Sequence, residues 1–102
     1  MKDVQKRVDE WIKQYKIGYF KPFEQVARLT EETGEIAREI NHLFGPKKRK
    51  PTEEMGDLEE EMGDVIFALA CLANSLELDL ERGFDKVMDK VASRDKDRWE
   101  KK

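Results

Sequence analysis

Two pairs of carboxylates carry the first chemical signal in this chain. Glu32 and Glu35 stand three residues apart within Glu31-Glu32-Thr33-Gly34-Glu35, and Glu61 and Asp64 repeat the spacing within Glu61-Met62-Gly63-Asp64. On a helix, residues i and i+3 project on one side, roughly one turn apart. Two such helices laid side by side would bring four carboxylates to one point. Charges of one sign repel at that range, and a hard divalent cation, which takes oxygen ligands, offsets the repulsion. A donor set made only of carboxylates suits Mg²⁺, with Mn²⁺ as a substitute, better than Zn²⁺, which favours His and Cys. Mg²⁺ keeps waters and bridges substrate phosphates, so the chemistry in view is metal-assisted hydrolysis of a phosphoanhydride. The plainer alternative is a solvated acidic face, in a chain where 42% of residues are charged.

The elements that must position these acids all read as helices. Val4, Val8, Trp11, Ile12 and Tyr15 form one amphipathic face of a first helix, about residues 3–17, with Gly18 as its stop. Tyr19-Phe20-Lys21-Pro22-Phe23 is an aromatic connector: either packing across the helix joint or, with Phe20, Phe23 and Trp11, a wall on which a base stacks. A second helix spans about 22–43, and Glu32 shares its flank with Leu29, Ile36 and Leu43, at the edge of the apolar stripe. Glu39 and Glu59 look outward. Thr52 is placed to cap a third helix, running to about residue 77 and expected to bury Met55, Leu58, Met62, Val65, Ile66, Leu69, Leu72, Ala73 and Leu76 at the centre of the bundle. Asp79 caps a fourth, about 80–99, with a stripe of Phe84, Val87, Met88, Val91 and Trp99 and a cationic row of Lys86, Lys90 and Arg94. Gly34 and Gly63 each sit inside a helix beside an acidic pair. A glycine there costs roughly 1 kcal/mol against alanine, which is reasonable where another backbone approaches closely.

Between the second and third helices lies the clear loop, Gly45-Pro46-Lys47-Lys48-Arg49-Lys50-Pro51. It reads as a solvated loop or as a basic flap that meets a polyphosphate. At 102 residues the chain is expected to form one domain with a small core. The architecture expected is all-α, a four-helix bundle. Its stripes are broader than four short helices cover, which favours a homodimer or larger assembly. A net charge of −3 argues against nucleic acid as a partner. No apolar run is long enough for a membrane span, and Met1-Lys2-Asp3-Val4 lacks the apolar core of a signal peptide. The single cysteine, Cys71, lies in an apolar run and reads as a buried thiol. A cytoplasmic address fits these features.

The words around the acids resemble a known family. Ala27-Arg28-Leu29-Thr30-Glu31-Glu32-Thr33-Gly34-Glu35-Ile36-Ala37-Arg38-Glu39 and Glu60-Glu61-Met62-Gly63-Asp64-Val65-Ile66-Phe67 are similar to the two core helices of the MazG nucleotide pyrophosphohydrolases. The tail, Lys90 to Trp99, resembles the compact single-domain members of the YpjD type. The resemblance implies an all-α fold, Mg²⁺ dependence, and cleavage of a nucleoside triphosphate (ribo or deoxy) between its α- and β-phosphates. The products are a nucleoside monophosphate and pyrophosphate, and the task is nucleotide-pool clean-up. It makes Glu32, Glu35, Glu61 and Asp64 the metal ligands and Glu31 an auxiliary catalytic acid. It places Lys90 and Arg94 in a basic segment near the substrate, and it implies a dimer or tetramer.

Two other readings compete. Glu39-Ile40-Asn41-His42 is a Glu-x-x-His unit of the di-iron carboxylate bundles, though with one His a symmetric dimer must supply the second unit. Alternatively the chain is a non-catalytic helical oligomerisation or interaction module whose acids serve solubility.

Overall fold

The computed structural model describes residues 1–46 and 55–102. Among the described residues there are four helices and no strand: α1 (Lys2–Ile12), α2 (Pro22–Phe44), α3 (Met55–Ser75) and α4 (Leu80–Asp95). The all-α class follows as the periodicity predicts. Thr52 and the cations Lys47, Lys48, Arg49 and Lys50 lie outside the described residues.

Two helix ends differ from expectation. α1 stops at Ile12 instead of continuing to Ile17. Beyond it, Gln14 donates its N–H to Trp11 O (3.3 Å) and Tyr15 to Ile12 O (3.1 Å), three residues back rather than four. This tightened turn is a common way to end a helix. Gly18 then closes it at φ +62°, the left-handed conformation glycine adopts without a Cβ penalty. The turn carries Tyr15 and Ile17 off the α1 face and into the wall of a cavity. α4 ends at Asp95 rather than Trp99, and Asp95 instead draws the guanidinium of Arg98 back at 3.5 Å. At its start the expectation holds: Asp79 Oδ1 accepts the N–H of Arg82 at 3.2 Å, an N-cap.

α2 and α3 form an antiparallel hairpin. Gln25, near the start of α2, meets Ser75, the last residue of α3, while Glu32 meets Glu61 and Asp64 further along. The core between the helices is made largely of small side chains. Ala68, Ala70 and Ala73 are buried on α3 with Leu58, and Val8 is buried on α1. Met62, Ile66 and Leu76, expected inside, are exposed, because α1 and α2 cover only part of the broad α3 stripe.

A polar joint ties the N-terminal half to the end of α3. Gln5 donates to Asn74 Oδ1 (2.9 Å) and Leu78 O (2.8 Å) and accepts from Leu80 N–H (2.9 Å), and Asn74 donates to Gln5 O (2.9 Å). The first turn of α4 adds Glu81, which faces the Met1 ammonium at 3.9 Å and Lys2 Nζ at 3.6 Å. Beyond that anchor α4 stands free of the other helices, and Phe84, Val87, Met88 and Val91 are exposed along it, with Trp99 exposed beyond its end. The radius of gyration is 17.2 Å. A closed globule of this length measures about 13 Å.

Candidate active site

The antiparallel hairpin brings three of the four expected ligands together. Glu32, Glu61 and Asp64 each offer a carboxylate oxygen, and these atoms all lie within 4.8 Å of one another. Glu32 and Glu61 are half-buried and Asp64 is exposed. This follows from their position at the edge of the apolar stripes, where Leu29 and Ile36 are also half-buried. Glu35 stands just outside the cluster and is exposed, and Glu31 is exposed as well. Burial, and then the charges of Glu35, Asp64, Glu32 and Glu39 in that order, push the Glu61 carboxyl above the usual carboxylate range. Glu35 is therefore close enough to act as the strongest single charge on Glu61. Arg28 lies beside the cluster, its Nε 4.0 Å from Glu32 Oε1. An all-oxygen cluster with an excess of negative charge has the donor chemistry of a hard divalent cation site.

Glu39 does not look outward, as the pattern suggested: it is 9% exposed. It lies seven residues after Glu32, two turns along one face, so the face that turns Glu32 toward α3 turns Glu39 the same way. That spacing was the available signal. Gly34 and Gly63 do not mark a close approach of helices either, since a Cβ at each would meet nothing within 4 Å.

Beside the acids, at the α1–α2 joint, is a cavity of about 440 Å³. Trp11 and Tyr15 pack with centroids 5.0 Å apart, and Phe67 meets Trp11 edge-on at 6.3 Å. The Arg28 guanidinium lies 5.9 Å from the Phe67 centroid, linking the cavity to Glu32. Phe20 is in the wall, as expected of the connector, whereas Phe23 is 92% exposed and outside it. Tyr15, Gln25, Arg28 and Phe67 are lining residues that the aromatic pattern of the connector alone does not reveal. Cys71 also lines the cavity; its thiol is only half-buried, and desolvation pushes it up, away from nucleophilic reactivity.

Lys90 and Arg94 are exposed on α4. Arg94 pairs with its neighbour Asp95 at 3.3 Å.

The all-helical fold, with its acidic cluster and adjoining aromatic cavity, is that of a known enzyme family. Residues 20–99 match the MazG nucleotide pyrophosphohydrolase domain, and the chain belongs to that enzyme family. It is 57% identical over 102 residues to YpjD of Bacillus subtilis (strain 168), covering 100% of this chain and 92% of that protein. It is 33% identical over 96 residues to YvdC of the same organism, covering 84% of this chain and 91% of YvdC. The crystal structure of YpjD from Bacillus subtilis superposes with a TM-score of 0.82 at 56% identity, covering 87% of this chain and 91% of that one. The crystal structure of the Bacillus-conserved MazG protein, a nucleotide pyrophosphohydrolase, gives 0.79 at 51% identity, covering 94% and 93%.

Proposed function

We propose that this chain is a Mg²⁺-dependent nucleoside triphosphate pyrophosphohydrolase that releases pyrophosphate and leaves a nucleoside monophosphate. The observation that carries the reading is the convergence of Glu32, Glu61 and Asp64 within 4.8 Å beside an aromatic cavity large enough for a base. Glu32, Glu61 and Asp64 would hold the cation, Glu35 joining them with a change of rotamer. Mn²⁺ has the same ligand preference and is expected to substitute. When bound, the cation neutralises phosphate charge and lowers the pKa of coordinated water. The chain's own residues do the rest. The apolar cavity takes the base and excludes water from it. Arg28, between cavity and acids, is placed to face a phosphate. Glu31 serves as an auxiliary acid that orients water at the rim.

The working form is a homodimer or homotetramer. The open shape and the exposed α4 face of Phe84, Val87, Met88 and Val91 support this, since apolar surface of that extent is normally covered. In such an assembly Lys90 and Arg94 reach the phosphates of a substrate held on the partner's acids. No helix of the described residues is long and apolar enough to cross a membrane. A cytoplasmic enzyme acting on free nucleotides, with no nucleic-acid partner, fits the mildly acidic charge. The test is pyrophosphate release from a triphosphate panel with and without Mg²⁺, beside Glu35→Gln. Mg²⁺-dependent monophosphate and pyrophosphate formation, lost in the variant, is the expected result. Orthophosphate as the product, or turnover untouched by the substitution, would count against it.

A further inference from the structure

α2 carries two seams, and the single chain covers one of them. Leu29, Glu32, Ile36 and Glu39, alternately three and four residues apart, are buried or half-buried on the side packed against α3. Phe23, Val26, Thr30, Thr33, Ala37, Ile40 and Phe44 keep the same alternation from one end of the helix to the other, and every one of them is exposed. This second seam lies about a third of a turn round from the first. Phe23 is 92% and Phe44 67% exposed. A surface helix normally sets charged residues on its free side, and this seam holds none. Its two hydroxyls are turned back onto the helix: Thr30 Oγ1 donates to Val26 O at 2.9 Å and Thr33 Oγ1 to Leu29 O at 2.8 Å. Neither needs water as an acceptor.

We propose that this outer seam of α2 is covered by the same seam of a second copy, the two helices lying antiparallel about a two-fold axis near Gly34 and Glu35. The pairing is separate from the α4 contact proposed above and does not depend on the hydrolase reading. The seam is complementary to itself. About that axis Phe44 faces the partner's Val26 and Ile40 faces the partner's Thr30, a larger side chain against a smaller one. Phe23 closes each end beside the partner's Phe44. At the centre Ala37 faces the partner's Thr33, and Gly34 lets the backbones approach, since a Cβ there would meet nothing from elsewhere in the chain within 4 Å. The charges agree. Glu31 and Arg38 are exposed on one flank of the seam, seven residues apart. In the antiparallel arrangement Glu31 meets the partner's Arg38 and Arg38 the partner's Glu31, reaching past the small Ala27 and Gly34. A parallel pair would set like charges together at both positions. The extent is sufficient as well. Phe23 and Phe44 offer roughly 300 Å² per copy, and the side chains between them carry the pair past the roughly 1,000 Å² of a specific interface. With α4 as a second isologous face, the two contacts close into a tetramer.

The test is sedimentation equilibrium on the full chain carrying Val87→Glu, which weakens the α4 contact so that the α2 pairing is read alone. The same chain is then given Ala37→Glu, Glu31→Arg, Arg38→Glu, or the last two together, with helicity checked by circular dichroism. The Val87→Glu chain is expected at twice 12.0 kDa, dissociating on dilution. Ala37→Glu is expected to leave the single chain. Glu31→Arg and Arg38→Glu are each expected to raise Kd by about tenfold, and the double exchange, which restores both ion pairs with their signs reversed, to bring it back within about threefold. Should Ala37→Glu fail to fold, the charge exchange decides. A Val87→Glu chain that is single at every concentration would overturn the proposal, and that is the result expected if the partner's α4 covers the α2 seam instead. A mass unmoved by Ala37→Glu, or a double exchange no tighter than the single ones, would overturn it as well. The readout is mass alone, so failure here leaves the hydrolase reading to its own assay.

Discussion

The Tyr19 hydroxyl donates to Asp9 Oδ1 at 2.6 Å and accepts from Asn74 Nδ2 at 3.0 Å, so one phenol joins α1, the connector and α3. Burial, then the Asp9 hydrogen bond, pushes Tyr19 up to about 12. Asp9 itself is held below the usual carboxylate range, first by Lys13, whose Nζ lies at 2.7 Å, and then by Tyr19. Tyr19→Phe removes both bonds and leaves Asn74 a donor short, at a cost of about 1–3 kcal/mol. Urea unfolding at fixed protein concentration should show a lowered midpoint with an unchanged slope.

The same phenol predicts an alkaline weakness. A raised pKa means that the folded state holds the proton more tightly than the unfolded chain, whose tyrosine titrates near its ordinary value of 10.0. The contribution is therefore complete below pH 10 and is lost as pH rises from there toward about 12. Tyr19→Phe should flatten that part of the stability-versus-pH curve relative to the unaltered chain. A wild-type curve no steeper than the variant's would remove Tyr19 from the joint.

The acidic cluster makes the opposite kind of prediction. Glu61 is raised by burial and by four neighbouring carboxylates, so its charged form is disfavoured in the folded chain at neutral pH. Without divalent cations, Glu61→Gln should unfold at the same temperature as the wild type or higher. With saturating Mg²⁺ the order reverses, because only the wild type gains the stabilisation that binding to the folded state provides. Pyrophosphate release should fall by about 100-fold or more in the same variant. Thermal melts with Mg²⁺ and with EDTA check both halves.

Local signals made the all-α class and most of the acidic site legible in the sequence. The i, i+3 acids at the edge of apolar stripes meet because two long helices with those stripes pack as a hairpin, and Glu32, Glu61 and Asp64 do meet. The Asp79 cap was equally local, needing only its own side chain and Arg82 N–H. What was not legible depended on partners distant in sequence. The turn that ends α1 at Ile12 places Tyr15 opposite residues of α2 and α3, and no periodicity within α1 encodes that. Gln25 reads as an ordinary surface amide until Ser75, at the far end of α3, covers it. Phe23 and the α4 stripe carried the pattern of burial, yet one chain leaves them exposed.

That α4 stripe predicts an assembly that one substitution can weaken. In a monomer, Val87→Glu changes an exposed position and should cost within about 0.5 kcal/mol. If α4 is an interface, the same change buries a charge against apolar partners and disfavours association. Light scattering after size-exclusion chromatography should give the wild type a mass at least twice 12.0 kDa and shift Val87→Glu toward the single chain. Its pyrophosphate release should fall with the mass if Lys90 and Arg94 act across the interface, and an active monomer would return those two residues to plain surface.

Gly34 is the position where stability and activity should part company. It lies inside α2, between the acids Glu32 and Glu35, and beyond its own helix backbone and chain neighbours nothing lies within 4 Å of where a Cβ would stand. Replacing it with alanine restricts the unfolded chain, improves helix propensity and meets no steric obstacle in the chain alone. Gly34→Ala should therefore stabilise the fold by about 1 kcal/mol, read as a higher urea midpoint. If the acidic cluster beside it acts in hydrolysis, the open space at Gly34 is room for the triphosphate or for a second copy of the chain. The expected signature is a raised unfolding midpoint together with a higher KM or a lower mass in solution. A variant more stable than the wild type, with KM and mass unchanged, would mean that the space beside Glu32 and Glu35 is bulk solvent.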